Sequence, residues 1–297
     1  MTNLGGWSHL VTNTSTDRHY DLTFEGTRVF IPLAASGCGY GCTYCYVPNF
    51  DERSTPLTSQ DMVDYVERIR TDSRFVPGPT GTIFGLGCDT EPFNSRTNID
   101  NVLYLFEAAA ATSNPIQVAT KTPLPTRVRA ALENHAGPRP VVYTSFTCVR
   151  SAPLVEPSAP PPALRAANFA THGDSWTSAA MIKPVTPTTA RERVGLRLLL
   201  TDNKPDFIVV GSTYTSTTDA DEQPHPLANT WTSPGLSSAA DAVASEMSRL
   251  GVPIYAHSLC GCANTWRSAH ALEVYNDYEE LCTKCGLCNE RKPEWEQ

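Results

Sequence analysis

Short β-branched and aromatic runs alternate with segments of helical period along most of this chain, and that alternation restricts the fold more than any other feature. Strands are expected at 27–33 (TRVFIPL), 82–86, 116–120, 141–147, 178–183, 207–210 and 252–257. Between the first two, 59–70 (SQDMVDYVERIR) carries Met62, Val63, Val66 and Ile69 at helical spacing behind Ser59 as the expected N-cap. Further helices are expected at 98–112, 124–134, 163–172, 188–202 and 235–250. Such alternation means parallel strands joined by right-handed crossovers. About seven βα units result, an α/β fold of the partial or full barrel kind. The polar segments that follow the strands then gather at the C-terminal mouth, where barrels place their chemistry. A chain of 297 residues with 40% hydrophobic content can fill the core of one such barrel. No internal repeat is evident. Residues 212–234, rich in Thr, Ser, Asp and Pro, read as a long loop over the mouth or a disordered insert.

Several classes are disfavoured at once. No run of 18 or more apolar residues is present, so no membrane span is expected. Residues 1–13 lack the basic start and apolar stretch of a secretory signal. The net charge of −8 favours a small-molecule substrate over nucleic acid, which draws a basic footprint. Ten cysteines in a chain without an export signal point to metal ligation in the cytoplasm rather than disulfides.

Three of those cysteines stand in Ser36-Gly-Cys38-Gly-Tyr-Gly-Cys42-Thr-Tyr-Cys45-Tyr46, directly after the first expected strand. A C-x3-C-x2-C spacing on a glycine-rich loop can wrap three thiolates around one cuboidal [4Fe–4S] cluster, with backbone amides free to bond the sulfurs. Three ligands leave one iron open. An open iron can chelate the amino and carboxylate groups of S-adenosylmethionine (SAM) and pass an electron to its sulfonium, giving a 5′-deoxyadenosyl radical able to abstract hydrogen from unactivated carbon. A zinc site or free buried thiols are the alternatives, although zinc usually shows paired C-x2-C units and a fourth ligand.

The triplet resembles that of the radical SAM superfamily, and the resemblance extends to spore photoproduct lyase-like proteins over about residues 27–215. It is carried by Thr90-Glu91-Pro92-Phe93, Ala119-Thr120-Lys121-Thr122, Thr144-Ser145-Phe146-Thr147, Glu156-Pro157-Ser158-Ala159-Pro160 with Arg165, and Lys183-Pro184-Val185-Thr186-Pro187, in that order. It implies a partial (βα)6-type radical SAM barrel over 27–258, with an N-terminal extension (1–26) and a C-terminal segment (259–297). It implies that Thr90 and Glu91 lie where the SAM amino group is contacted. Lys121 and Ser145 lie where its carboxylate is held, and Tyr44 and Tyr46 flank the adenine. A one-electron donor such as flavodoxin or ferredoxin is the implied partner.

The C-terminal segment carries five more cysteines. Cys260-x-Cys262 follows the last strand, and Cys282-x2-Cys285-x2-Cys288 follows a helix expected at 265–278. The second triplet has ferredoxin-type spacing, so an auxiliary [4Fe–4S] cluster is expected near the mouth, its fourth ligand Cys260 or Cys262. An all-thiolate zinc site is the alternative. This tail lies outside the lyase resemblance, which weakens a DNA-repair reading. Of the remaining residues, Cys88 reads as a small buried hydrophobe or a hydrogen-atom donor, and Cys148 as packed. His257 faces the mouth or is merely hydrogen-bonded. Tyr143, Tyr214 and Tyr255 pack a wall or quench a radical, and Arg165 anchors an anionic group or a core-edge carboxylate.

The expected function is radical chemistry on a small polar substrate, a sugar or nucleoside. The auxiliary cluster would give sulfur in an insertion or sulfur-for-oxygen exchange, or else accept an electron in an oxidation or rearrangement. The Ala-, Pro-, Thr- and Arg-rich composition suits a biosynthetic enzyme, of the antibiotic-making kind. A DNA lesion lyase needs a positive groove and an extruded base. A binding module without catalysis would not need the ordered strand-end motifs.

Overall fold

The computed structural model of the chain describes residues 22–25, 27–36, 38–45, 55–88, 90–170, 173–185, 189–211, 238–255 and 258–266. Its strands are β1 (Thr23–Glu25), β2 (Arg28–Ile31), β3 (Ala34–Ser36), β4 (Thr55–Pro56), β5 (Ile83–Leu86), β6 (Ile116–Thr120), β7 (Val141–Phe146), β8 (Thr177–Ile182), β9 (Phe207–Val210) and β10 (Ile254–Tyr255). Its helices are α1 (Ser59–Thr71), α2 (Arg96–Ala111), α3 (Thr126–Glu133), α4 (Ala152–Val155), α5 (Pro162–Ala166), α6 (Ala190–Asp202), α7 (Ser238–Met247) and α8 (Ser258–Trp266).

One eight-stranded sheet runs β1-β2-β5-β6-β7-β8-β9-β10. Every neighbouring pair is parallel except β1 on β2, an antiparallel edge. Strands adjacent in the sheet are consecutive through β5 to β10, the winding of an α/β barrel, here a partial one. The second sheet pairs only β3 with β4.

The strands are buried on both faces, as parallel strands must be. On the outer face Val29, Ile31, Phe84, Leu86, Ile116, Val118 and Val142 meet the apolar stripes of α1, α2 and α3. Farther along, Phe146, Ala180, Ile182, Ile208 and Val210 pack under α6 and α7. On the inner face Ile83, Ala119, Val141, Tyr143, Ala179, Phe207, Val209 and Tyr255 form one cluster with Leu259 and Cys262 of α8.

Most expected elements form, with shifts at their ends. The cap of α1 is Thr58 rather than Ser59. Asp61 N–H donates to its hydroxyl at 3.1 Å while the Asp61 carboxylate takes Thr58 N–H at 2.9 Å, a reciprocal box that satisfies two otherwise unpaired donors. The helix expected at 163–172 is only α5, followed by a 3₁₀ turn, Ala167–Phe169. The segment expected to follow the last strand begins as α8, which starts two residues after β10 and carries positions 260 and 262. Most of the helix expected at 265–278 lies outside the described residues. No helix among the described residues is long and apolar enough to cross a membrane.

Candidate functional site

The cysteine loop leaves β3 at the C-terminal end of the parallel strands. Gly39 (φ 79°) and Gly41 (φ 58°) adopt left-handed backbone that costs a side-chain-bearing residue energy, so the chain can double back between Cys38 and Cys42. Cys45 N–H donates to Cys42 C=O at 3.0 Å, closing the second half of the loop. Asn94 Nδ2 donates to Cys38 C=O at 3.0 Å, and the Tyr40 and Thr122 hydroxyls are hydrogen-bonded to each other.

The next loop is brought alongside by Gly87, immediately after β5. A Cβ there would stand 2.0 Å from Ala119 C=O, so only glycine lets the chain pass the end of β6 so closely. Glu91 then turns back into the protein and is buried, as is Thr90. Its carboxylate accepts the Thr120 hydroxyl, Lys121 N–H at 2.8 Å and Phe93 N–H at 3.3 Å. Burial pushes the Glu91 carboxyl above its ordinary range, against those donors. Glu91 therefore staples the loop to the end of β6, and its backbone opposes the upward shift of the nearby Cys38 thiol. Its carboxylate oxygens are engaged within the protein.

Lys121 and Ser145 stand side by side at the ends of β6 and β7, one residue beyond the Thr120–Thr144 register pair. The half-buried Lys121 Nζ lies 5.6 Å from the centre of the Tyr44 ring. Burial works to lower the Lys121 ammonium, but the Glu156 carboxylate and the thiols of Cys42 and Cys38 hold it above its ordinary value. The same cation works in reverse on the thiols. Burial pushes Cys38 up to about 11 and raises Cys42, with Lys121 opposing both shifts. Thiols of this kind lose their protons on binding a metal, and a nearby cation such as Lys121 would support the resulting thiolates. Three soft donors with a cation nearby fit a thiolate-bound iron–sulfur cluster. Among the described residues no three His, Cys, Asp or Glu side chains converge tightly enough to share one metal ion.

Tyr44 does not lie open at the mouth. It is buried, its hydroxyl donates to Glu156 Oε1, and the Thr147 hydroxyl approaches its oxygen at 3.1 Å. Burial, then the Glu156 charge, hold the phenol well above its ordinary value, so it keeps its proton. Arg165 meets a core-edge carboxylate: Nη1 is 2.6 Å from Glu156 Oε2, both side chains fully buried. Glu156, Thr147 and Asn94 are thus site residues that the strand-and-spacing analysis passed over. Glu156 was visible only as the first letter of a motif.

Cys262 is wholly buried on the inner face. Its thiol donates to Gln117 Oε1 at 3.0 Å and lies 3.1 Å from the Tyr143 hydroxyl, which donates to Ser258 C=O at 2.7 Å. Burial pushes this thiol up to about 12, opposed by the Tyr143 hydrogen bond. Residues two apart on a helix stand about 200° apart around its axis, so positions 260 and 262 do not share a face of α8. Cys148 is buried and Cys88 half-buried; Tyr255 packs edge-on against Phe207 at 5.4 Å. Tyr46, Tyr214, His257, Cys282, Cys285 and Cys288 lie outside the described residues.

No protein-family model and no curated protein sequence matches the chain. Solved structures do. SuiB from Streptococcus suis bound to precursor peptide SuiA superposes with a TM-score of 0.57 at 14% identity, over 86% of this chain and 52% of that one. SuiB bound to S-adenosylmethionine gives 0.55 at 12%, over 84% and 52%. Spore photoproduct lyase complexed with dinucleoside spore photoproduct gives 0.53 at 14%, over 81% and 77%. The fold is that of SuiB and spore photoproduct lyase. The chain spans about half the length of the SuiB structures, and at these identities the likeness is one of fold.

Proposed function

We propose that the chain is a radical SAM enzyme acting on a small polar substrate. The observation that carries this reading is the convergence, at the C-terminal mouth of a radical SAM fold, of the Cys38–Cys42–Cys45 loop with Lys121, which lies 5.6 Å from the Tyr44 ring, and with the Glu91 loop, which Asn94 ties to Cys38 C=O. Cys38, Cys42 and Cys45 would hold a [4Fe–4S] cluster, which would supply one-electron cleavage of SAM to a 5′-deoxyadenosyl radical. The chain's own residues do the rest. Lys121 and Ser145 hold the SAM carboxylate, and Thr90 contacts its amino group. Glu91 fixes the loop that presents Thr90, and Tyr46 is the adenine neighbour, Tyr44 being committed to Glu156.

A second cluster on Cys282, Cys285 and Cys288 completes the proposal, with Cys260 as its fourth ligand. Cys262 is assigned to packing, because its thiol is enclosed and hydrogen-bonded to Gln117. The finer reading is that this cluster provides sulfur to a sugar or nucleoside, and that flavodoxin or ferredoxin delivers the electron.

SuiB is seen bound to a precursor peptide, and that favours a peptide substrate as the second reading. The net charge of −8 speaks against the nucleic-acid strand of a repair lyase.

The test is anaerobic reconstitution with iron and sulfide counts. Wild type is expected to hold about eight irons and Cys38→Ala/Cys42→Ala/Cys45→Ala about four, one cuboidal cluster per cysteine set. Reduced wild type should release 5′-deoxyadenosine from SAM, and the triple variant none. Wild type without iron, or the triple variant with undiminished SAM cleavage, refutes the proposal. Sulfide lost from the second cluster during one turnover supports sulfur donation; sulfide retained with product formed rules it out.

A further inference from the structure

The segment from Ala152 to Arg165 is stitched to the cysteine loop over more than a hundred residues of sequence. Thr43 N–H donates to Val155 C=O at 2.9 Å, and the Thr43 hydroxyl reaches the same oxygen at 3.3 Å. Ser158 N–H donates to Tyr40 C=O at 3.2 Å. The Tyr44 hydroxyl donates to Glu156. Residues 40, 43 and 44 lie between or beside the three cysteines, so each bond fixes backbone that carries a sulfur.

Glu156 is the hub of this seam. Oε1 takes the Tyr44 hydroxyl, with the Thr147 hydroxyl 3.3 Å away, and Oε2 meets Arg165 Nη1 at 2.6 Å. Arg165 is tied in turn: Nε donates to Pro160 C=O at 2.6 Å and Nη1 to Ser145 C=O at 3.1 Å. Its Nη2 is buried without a hydrogen-bond partner among the described residues. Glu156 also exerts the largest charge effect on Lys121, whose ammonium faces the Tyr44 ring. One carboxylate thus holds the loop through Tyr44, the end of β7 through Arg165, and the cation nearest the thiols by charge.

Stability alone is a poor reason for such a pair. Desolvating two charges completely costs several kcal/mol per ion, and apolar residues of similar volume usually pack as well or better. In some proteins a buried ion pair instead holds a particular geometry.

We propose that Glu156 is a positioning residue for the cluster: it clamps the Cys42–Cys45 half of the loop through Tyr44 and, paired with Arg165, fixes the charge beside that loop. This rests on the reading that Cys38, Cys42 and Cys45 hold a cluster. The geometry separates two roles. The hydrogen bond to Tyr44 governs how firmly the loop grips the metal. The charge of Glu156 raises the cost of adding an electron, since net charge close to a cluster sets its potential.

The test uses full-length protein carrying Cys282→Ala, Cys285→Ala and Cys288→Ala, so that only the first cluster is read. Tyr44→Phe and Glu156→Gln are reconstituted anaerobically in this background. Iron loss to a chelator and the midpoint potential are then measured, with the electron paramagnetic resonance signal as the redox readout. Tyr44→Phe keeps every charge and is expected to lose iron several-fold faster at an unchanged potential. Glu156→Gln is expected to lose iron faster and to shift to a higher potential. Both quantities unchanged in Glu156→Gln overturn the proposal. Should Glu156→Gln fail to fold, Tyr44→Phe decides, and a parental rate of iron loss in that variant overturns the clamp. A parent that takes up no iron sinks the underlying reading and this inference together, whereas a normally loaded parent with unaffected variants sinks this inference alone.

Discussion

Cys262→Ala separates packing from ligation in the C-terminal cysteine set. The variant removes one buried sulfur, worth about 1 kcal/mol on the scale of a buried methylene. It also leaves Gln117 Oε1 without the donor now 3.0 Å away, at about 1–3 kcal/mol for an orphaned buried acceptor. The sum is about 2–4 kcal/mol. At roughly 2–4 °C per kcal/mol for a large domain, the melting temperature of the reconstituted protein should fall by about 4–16 °C. Cys262→Ser keeps a donor and should recover part of that loss. Iron content should not change: both variants are expected to hold about eight irons, while Cys260→Ala is the variant that loses iron. Thermal unfolding and an iron assay on the same preparations read both quantities. A Cys262→Ala protein that melts like wild type but loses iron would falsify the packing assignment.

Other perturbations follow the same physics. Lys121→Met should weaken SAM binding by roughly 10- to 150-fold, the worth of one charge-assisted contact, in equilibrium dialysis with reconstituted protein; unaltered affinity removes Lys121 from the carboxylate site. Glu192 of α6 accepts Val149 N–H at 2.9 Å, Arg150 N–H at 3.0 Å and Ser151 N–H at 2.9 Å, pinning the chain that leads to Glu156. Burial tends to raise this carboxyl, but the three amides and the Ser151 hydroxyl outweigh it and hold it below its ordinary value. Its contribution is therefore present above its unfolded value and lost as pH falls through the folded one. Glu192→Gln should cost about 2–4 kcal/mol at pH 7, and the gap from wild type should close on acidification below pH about 4.5; a gap independent of pH contradicts the assignment. Gly261→Ala would place a Cβ 2.2 Å from Phe207 Cε2, so α8 must lift off β9, at about 1–3 kcal/mol or more in a denaturation curve. An unchanged midpoint refutes that close approach.

The order of strands and helices was readable because each signal is local. Phe207–Val210 is an apolar run bounded by polar or turn residues, and α1 shows its buried stripe of Met62, Val66 and Ile69 in its spacing. The cysteine loop was equally plain, since a tight thiol spacing among glycines is a short-range pattern. Strand β1 and the β3–β4 pair escaped notice, because strands of two or three residues carry too little period to register.

What the linear chain establishes here, then, is a parallel α/β scaffold with one thiolate loop at its mouth, because hydrophobic period and ligand spacing are properties of neighbouring residues. Only folding shows that Tyr44 is committed to Glu156, that Arg165 answers that carboxylate, and that Cys262 on α8 is buried against Gln117. Those contacts join residues between 9 and 145 positions apart, and whether a polar group is enclosed or free depends on which surfaces meet, which no local pattern encodes.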